Sequence, residues 1–208
     1  MEEEIKEKYI KAGKVLEKAI EFARNEIKEG KSFLELAEEI EGFIIEKGAK
    51  PAFPVNISKN NIAAHYTPNQ NCKENFAKKD VVKVDIGVHV GGYIADAAFT
   101  VNLGNNHKIL VKAAEEALKA AIAVAEVGTK ISEIGKIIEE TVKKCGFKPV
   151  YNLSGHGLQK YEAHAFPNIP NYNNKSNIVL EADKAYAIEP FVSTGSGFIH
   201  EGALSGIY

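Results

Sequence analysis

With 208 residues, 45% of them hydrophobic and 26% charged, the chain can bury a substantial core as one large domain or two small ones. Its 26 Lys and Arg against 28 Asp and Glu leave a formal net charge of -2, spread along the chain, which excludes the basic footprint of a nucleic-acid binder. No signal peptide or membrane-spanning apolar run is recognisable, and Cys72 and Cys145 lack metal-type spacing, so a cytoplasmic protein without a disulfide framework is expected.

From the amino terminus to about Glu29, Ile5, Tyr9, Ala12, Leu16, Ala19, Ala23 and Ile27 recur at helical spacing opposite a Lys/Glu-rich face. A long amphipathic helix is predicted. Ser32-Phe-Leu-Glu35 has the form of a capping box and opens a second helix through Leu36, Ile40 and Phe43, stopped at Gly48. Further on, Val84 to Phe99 reads as two alternating runs joined by Gly91-Gly92, a signal for a hairpin with a primed two-residue turn. In that register Val90 faces Tyr93, Asp85 faces Ala98 and Asp96 faces Gly87, so both aspartates share one side with Lys83 and His89. The other side, from Val82 and Val84 through Phe99 and Val101, is apolar and needs a core. Two carboxylates this close repel unless one takes a proton, faces water or shares a cation. An ordinary solvated sheet face satisfies the second condition and a metal centre the third. Ile109 to Ala125 and Ile131 to Cys145 predict two more helices, the last closed by Gly146 with Cys145 packed at its end, and Asn168 to Asn177 reads as a surface loop.

The segments after the second and fourth helices are alike: Gly48-Ala-Lys-Pro-Ala-Phe-Pro-Val-Asn-Ile-Ser58 and Gly146-Phe-Lys-Pro-Val-Tyr-Asn-Leu-Ser154. Each is followed by a histidine, His65 or His156, and later by a strand carrying an acid, Asp85 or Glu189. Two pseudo-symmetric αβ halves, about 1–105 and 106–208, are therefore expected within a single domain spanning 1–208. Such halves would set helices on the outer face of the sheets and bring the acid-bearing strands near a pseudo-axis. Lys-Pro after a helix-ending glycine is also common punctuation.

Two aspartates, a glutamate and a histidine suit hard or borderline divalent cations. His156 lies in Leu-Ser-Gly-His-Gly, where flanking glycines would leave the ring accessible, either as a ligand or as a surface loop residue. His65 in Ala-Ala-His-Tyr-Thr-Pro and His164 in Glu-Ala-His-Ala-Phe-Pro sit among apolar residues, the usual setting of a core histidine. His89 and His107 read as structural or solvated.

Five motifs in order resemble one family: Pro-Ala-Phe-Pro-Val-Asn-Ile-Ser, Ala-Ala-His-Tyr-Thr-Pro-Asn, Lys-Val-Asp-Ile-Gly-Val-His-Val-Gly-Gly-Tyr-Ile-Ala-Asp, Asn-Leu-Ser-Gly-His and Ala-Ile-Glu-Pro-Phe. The chain resembles type 2, archaeal-like methionine aminopeptidases from about Ala12 to Tyr208. The resemblance implies an α+β pita-bread fold, with pseudo-two-fold halves, a curved antiparallel sheet and outer helices. It implies two divalent metal ions, from among Co, Mn, Fe and Zn, on Asp85, Asp96, His156 and Glu189. Catalytic roles fall to His65, His164 and Glu189: the two histidines beside the reacting peptide, the glutamate handling the proton. Phe53 would line the methionine pocket, binding substrate together with His65 beside the reacting peptide and His164 at the scissile carbonyl; an aromatic there is also compatible with ordinary core. Release of an initiator methionine from a peptide or nascent-protein N-terminus is the implied activity, with no nucleic acid and no membrane.

Departures from the family pattern matter too. The family uses a fifth ligand, a glutamate on a late strand that follows a helical insert in type 2 members, whereas the only acid here after Glu189 is Glu201, in Gly-Phe-Ile-His-Glu-Gly-Ala, which does not match. The chain ends on Ser-Gly-Ile-Tyr, so a C-terminally incomplete fold with an uncapped sheet edge is expected. The favoured expectation is a split enzyme completed by a companion polypeptide supplying the missing strands and glutamate. The alternatives are a non-catalytic pita-bread binding protein and a prolidase-like peptidase.

Overall fold

In the computed structural model residues 1–202 are described, and they fall into two units, one of Met1–Asn106 with Lys160–Ala163 and Gly202, and one of His107–Gln159 with His164–Glu201. The first unit begins with helix α1 (Glu3–Glu26), which buries Ala12, Val15, Leu16, Ala19 and Ala23. Helix α2 (Phe33–Glu46) starts where the Ser32 hydroxyl accepts a hydrogen bond from the Glu35 N–H (3.4 Å), satisfying one of the unpaired donors of a helix start. Beyond them lie strands β1 (Lys50–Pro51), β2 (Asn56–Lys59), β3 (Val81–Val90) and β4 (Tyr93–Asn102).

Strand β3 organises this sheet: β1 and β2 pair antiparallel along it and β4 pairs with it over its full length. Gly91 and Gly92, at φ +61° and +90°, make the primed turn, a conformation that costs other residues dearly. The register is the expected one, with Asp85 opposite Ala98 and Asp96 opposite Gly87. Val82, Val84, Ile86, Val88 and Phe99 then form one core with Leu16, Phe33, Leu36, Ile40 and Ile44 of the helices. The hairpin tip is seated by Tyr161, whose N–H donates to the Gly92 carbonyl (2.8 Å).

The second unit repeats the order with α3 (Lys108–Ile122), α4 (Ile131–Lys144), β5 (Lys148–Pro149), β6 (Ser154–Gln159), β7 (Glu162–Pro170), β8 (Ala185–Ala187) and β9 (Val192–Ser193). One sheet runs β7-β6-β8 and β5 pairs with β9. Ile131, Ile134, Ile138, Val142, Ile169 and Leu180 fill its core. The internal likeness reaches register: Lys50 pairs with His89, four residues after Asp85, and Lys148 pairs with Ser193, four residues after Glu189. Each acid therefore holds the same place relative to the Lys-Pro strand of its own unit.

Two expectations are corrected. Asn168–Pro170 complete β7 rather than opening a loop, and Asn171 is fully buried, its amide donating to the Val150 and Leu153 carbonyls (3.4 and 3.0 Å). The cause is Ile169 and Pro170, both buried, which draw the neighbouring polar side chain inward with them. Cys145 is exposed, because it caps α4 outside the helix's apolar stripe. Ser205–Tyr208, where an uncapped sheet edge was expected, lie outside the described residues. No helix among the described residues is long and apolar enough to cross a membrane.

Candidate functional site

In the first unit Asp85 and Asp96 are half-buried diagonal neighbours on one face of the β3–β4 ribbon. That face is not an open solvated one. Lys83, on the same side, donates from Nζ to the Asn60 carbonyl (3.2 Å), and burial pushes its pKa down to about 8. Asn60 itself sits at φ +53°, pinned because its Nδ2 donates to Asp80 (2.9 Å) while its Oδ1 accepts from the Val81 N–H (3.0 Å). Phe53 lies on this face as well: a Cβ on Gly87, directly opposite Asp96, would come within 2.3 Å of its ring. The aromatic is thus half-buried over the aspartate ribbon and is absent from the apolar core. Gly87 is the residue that sequence reasoning missed, and the available signal was a glycine inside a strand, which marks close approach of another group.

His65 is exposed and left-handed, at φ +61°. A core histidine was the ordinary expectation, but the neighbouring residue carries the burial instead. The Tyr66 hydroxyl donates to Glu74 (2.8 Å), its carbonyl accepts from the Ile57 N–H (2.7 Å), and Glu74 pairs with Lys59. The imidazole is therefore displayed from an irregular segment anchored to β2 through Tyr66. A non-glycine residue held at positive φ persists only where its surroundings impose it, and such residues collect at functional sites. His89 is structural: its Nδ1 accepts from the Gly92 N–H (3.1 Å), its ring meets Tyr161 edge-on, and burial followed by nearby Lys50 lowers its pKa.

In the second unit His156, His164 and Glu189 converge. His156 on β6 is buried, at 4% exposure, against the expectation that its glycine neighbours leave it accessible. Gly155 and Gly157 serve strand packing, since a Cβ on either would lie 2.2 Å from the Ala187 carbonyl or 2.6 Å from that of Phe166. The His156 Nδ1 lies 3.1 Å from the Gly157 carbonyl and the Nε2 lies 2.9 Å from Glu189 Oε1. A carbonyl can only accept, so Nδ1 carries the proton and Nε2 turns a lone pair toward a carboxylate. That contact requires either a proton held between the ring and the carboxylate or a cation between the two groups. Imidazole fixed by a backbone carbonyl and faced by a carboxylate is a donor set that fits a borderline divalent ion. His164 projects from the exposed side of β7, its ring edge-on to His156 at 4.5 Å. Glu201 is exposed and His200 likewise; His107 is the N-cap of α3 without a side-chain cap bond.

The profile of Metallopeptidase family M24 matches residues 7–208, and the chain belongs to this family of metal-dependent peptidases. Within that class it is similar to archaeal methionine aminopeptidases. It is 50% identical to that of Archaeoglobus fulgidus over all of this chain and 71% of the relative, and 50% identical to that of Pyrococcus abyssi over 94% of this chain and 66% of the relative. The chain thus spans about two thirds of the length of these curated relatives. The crystal structure of methionine aminopeptidase from Thermotoga maritima superposes with a TM-score of 0.85 at 30% identity, covering 94% of this chain and 82% of the other. The fold is the pita-bread fold, with helices and antiparallel sheets as described above.

Proposed function

We propose that the chain acts as one catalytic domain that removes methionine from the N-termini of peptides and nascent proteins in the cytoplasm. Asp85, Asp96, His156 and Glu189 would hold two divalent cations, from among Co, Mn, Fe and Zn. The observation that carries this reading is the 2.9 Å approach of His156 Nε2 to the Glu189 carboxylate while Nδ1 is already committed to a carbonyl. Bound divalent cations supply Lewis acidity, lowering the pKa of water and polarising a carbonyl.

The protein's own groups do the rest. His164, exposed beside buried His156, donates a hydrogen bond to the scissile carbonyl oxygen and steadies the charge that develops there. His65 hydrogen-bonds the substrate backbone. Glu189 takes up a proton and returns it to the leaving amine. Phe53 offers the methionine side chain an apolar wall next to Asp96, and the aspartates favour a free ammonium group, which restricts cleavage to a terminal residue. A further bridging carboxylate, used in the family, is assigned to a companion polypeptide in this reading.

The test is hydrolysis of Met-Ala-Ser with cobalt or manganese, by the chain alone and mixed with a companion carrying a late glutamate strand. Turnover only in the mixture supports the whole reading; full turnover alone removes the companion and leaves the activity. Asp96→Ala should weaken metal binding by more than about 100-fold in calorimetry, since a lost ligand costs more than a lost outer-shell partner. Unchanged stoichiometry and affinity would overturn the assigned centre.

A further inference from the structure

Strand β7 exposes His164 and Phe166 on one face, while Ala165, Pro167 and Ile169 turn inward. At 74% exposure Phe166 is the most exposed large apolar side chain among the described residues. A single exposed apolar residue is ordinary. This one is set apart by its place, two residues along the strand from an imidazole whose ring lies 4.5 Å from that of buried His156.

Residues i and i+2 of a strand stand about 6.6 Å apart, the same spacing as alternate residues of an extended peptide. Resting on the reading of His164 as the group beside the scissile carbonyl, we propose that Phe166 is a specificity-determining residue that receives the third side chain of the substrate and favours an apolar one. Recognition through a side chain suits this stretch of β7, because Pro167 and Pro170 have no N–H with which to pair a substrate backbone. In the other direction from His164 the same face leads to Glu162, a carboxylate that would favour a basic third residue.

The chain contains no tryptophan, so Phe166→Trp installs a single reporter on an exposed position. Titrated with Met-Ala-Leu-Ser, its emission should shift to the blue, and with Met-Ala-Gly-Ser it should not. In turnover, Phe166→Ala should lower kcat/KM about fivefold for the leucine peptide and less than about twofold for the glycine peptide, as expected for lost apolar contact. Identical spectra with the two peptides, or equal losses on both, would overturn the proposal, and so would a shift specific to Met-Ala-Lys-Ser. A leucine-specific shift without any cleavage, by the chain alone or mixed with the companion, would support the apolar seat while removing the aminopeptidase reading on which the name of the third residue rests.

Discussion

Glu74, through Tyr66, holds the segment that displays His65. Its ion pair with Lys59, and next the hydrogen bond from Tyr66, keep its pKa below the usual carboxylate range. The partner phenol is pushed well above its ordinary value, first by burial and then by that same bond. A carboxylate with a depressed folded-state pKa contributes stability that is complete above the unfolded value and is lost as pH falls through the folded one. Glu74→Gln should therefore cost about 1 kcal/mol or less near neutrality, given that the pair is partly open to solvent, and the deficit should shrink in strong acid, as pH falls through the depressed folded-state value. Urea unfolding of both proteins under the two conditions checks the sign. At this scale the sequence was least legible. Exposed His65, buried His156 and the glycines around it all departed from their local context, because burial depends on which distant backbone arrives alongside.

Among the elements, the β3–β4 hairpin was legible to the residue, since alternation and a Gly-Gly turn are local and together leave one register. The capped start of α2 was equally local. Helix α4 carries a feature that was not. Gly135 lies inside it, where alanine would ordinarily be favoured by about 1 kcal/mol in helix propensity. A Cβ there would meet the Tyr172 carbonyl oxygen at 2.2 Å and that of Pro170 at 2.7 Å. Both are backbone atoms that cannot swing aside, so Gly135→Ala should be destabilising by about 1–3 kcal/mol despite its propensity, as in overpacked cores. Thermal unfolding of the variant checks it, and a raised midpoint would mean that the chain after β7 is not held against α4.

For the molecule as a whole, a ligand that binds only the folded state stabilises it by mass action, about 2.7 kcal/mol at a concentration 100-fold above its dissociation constant. Manganese or cobalt should accordingly raise the melting midpoint by roughly 5–10 °C for a chain of this size, and Glu189→Gln should abolish the rise. A midpoint that ignores metal in the unsubstituted protein would contradict the proposed centre. The sequence by itself determined the helix pairs, the hairpin register, the duplicated Lys-Pro segments and the family, because each is written in short-range periodicity or in contiguous motifs. Only the tertiary structure decided that Phe53 covers Gly87 on the aspartate face, and that His156 is enclosed with its Nε2 against Glu189. Those contacts join segments far apart in the chain, and their geometry follows from how strands and loops close on one another, which no local pattern of side chains records.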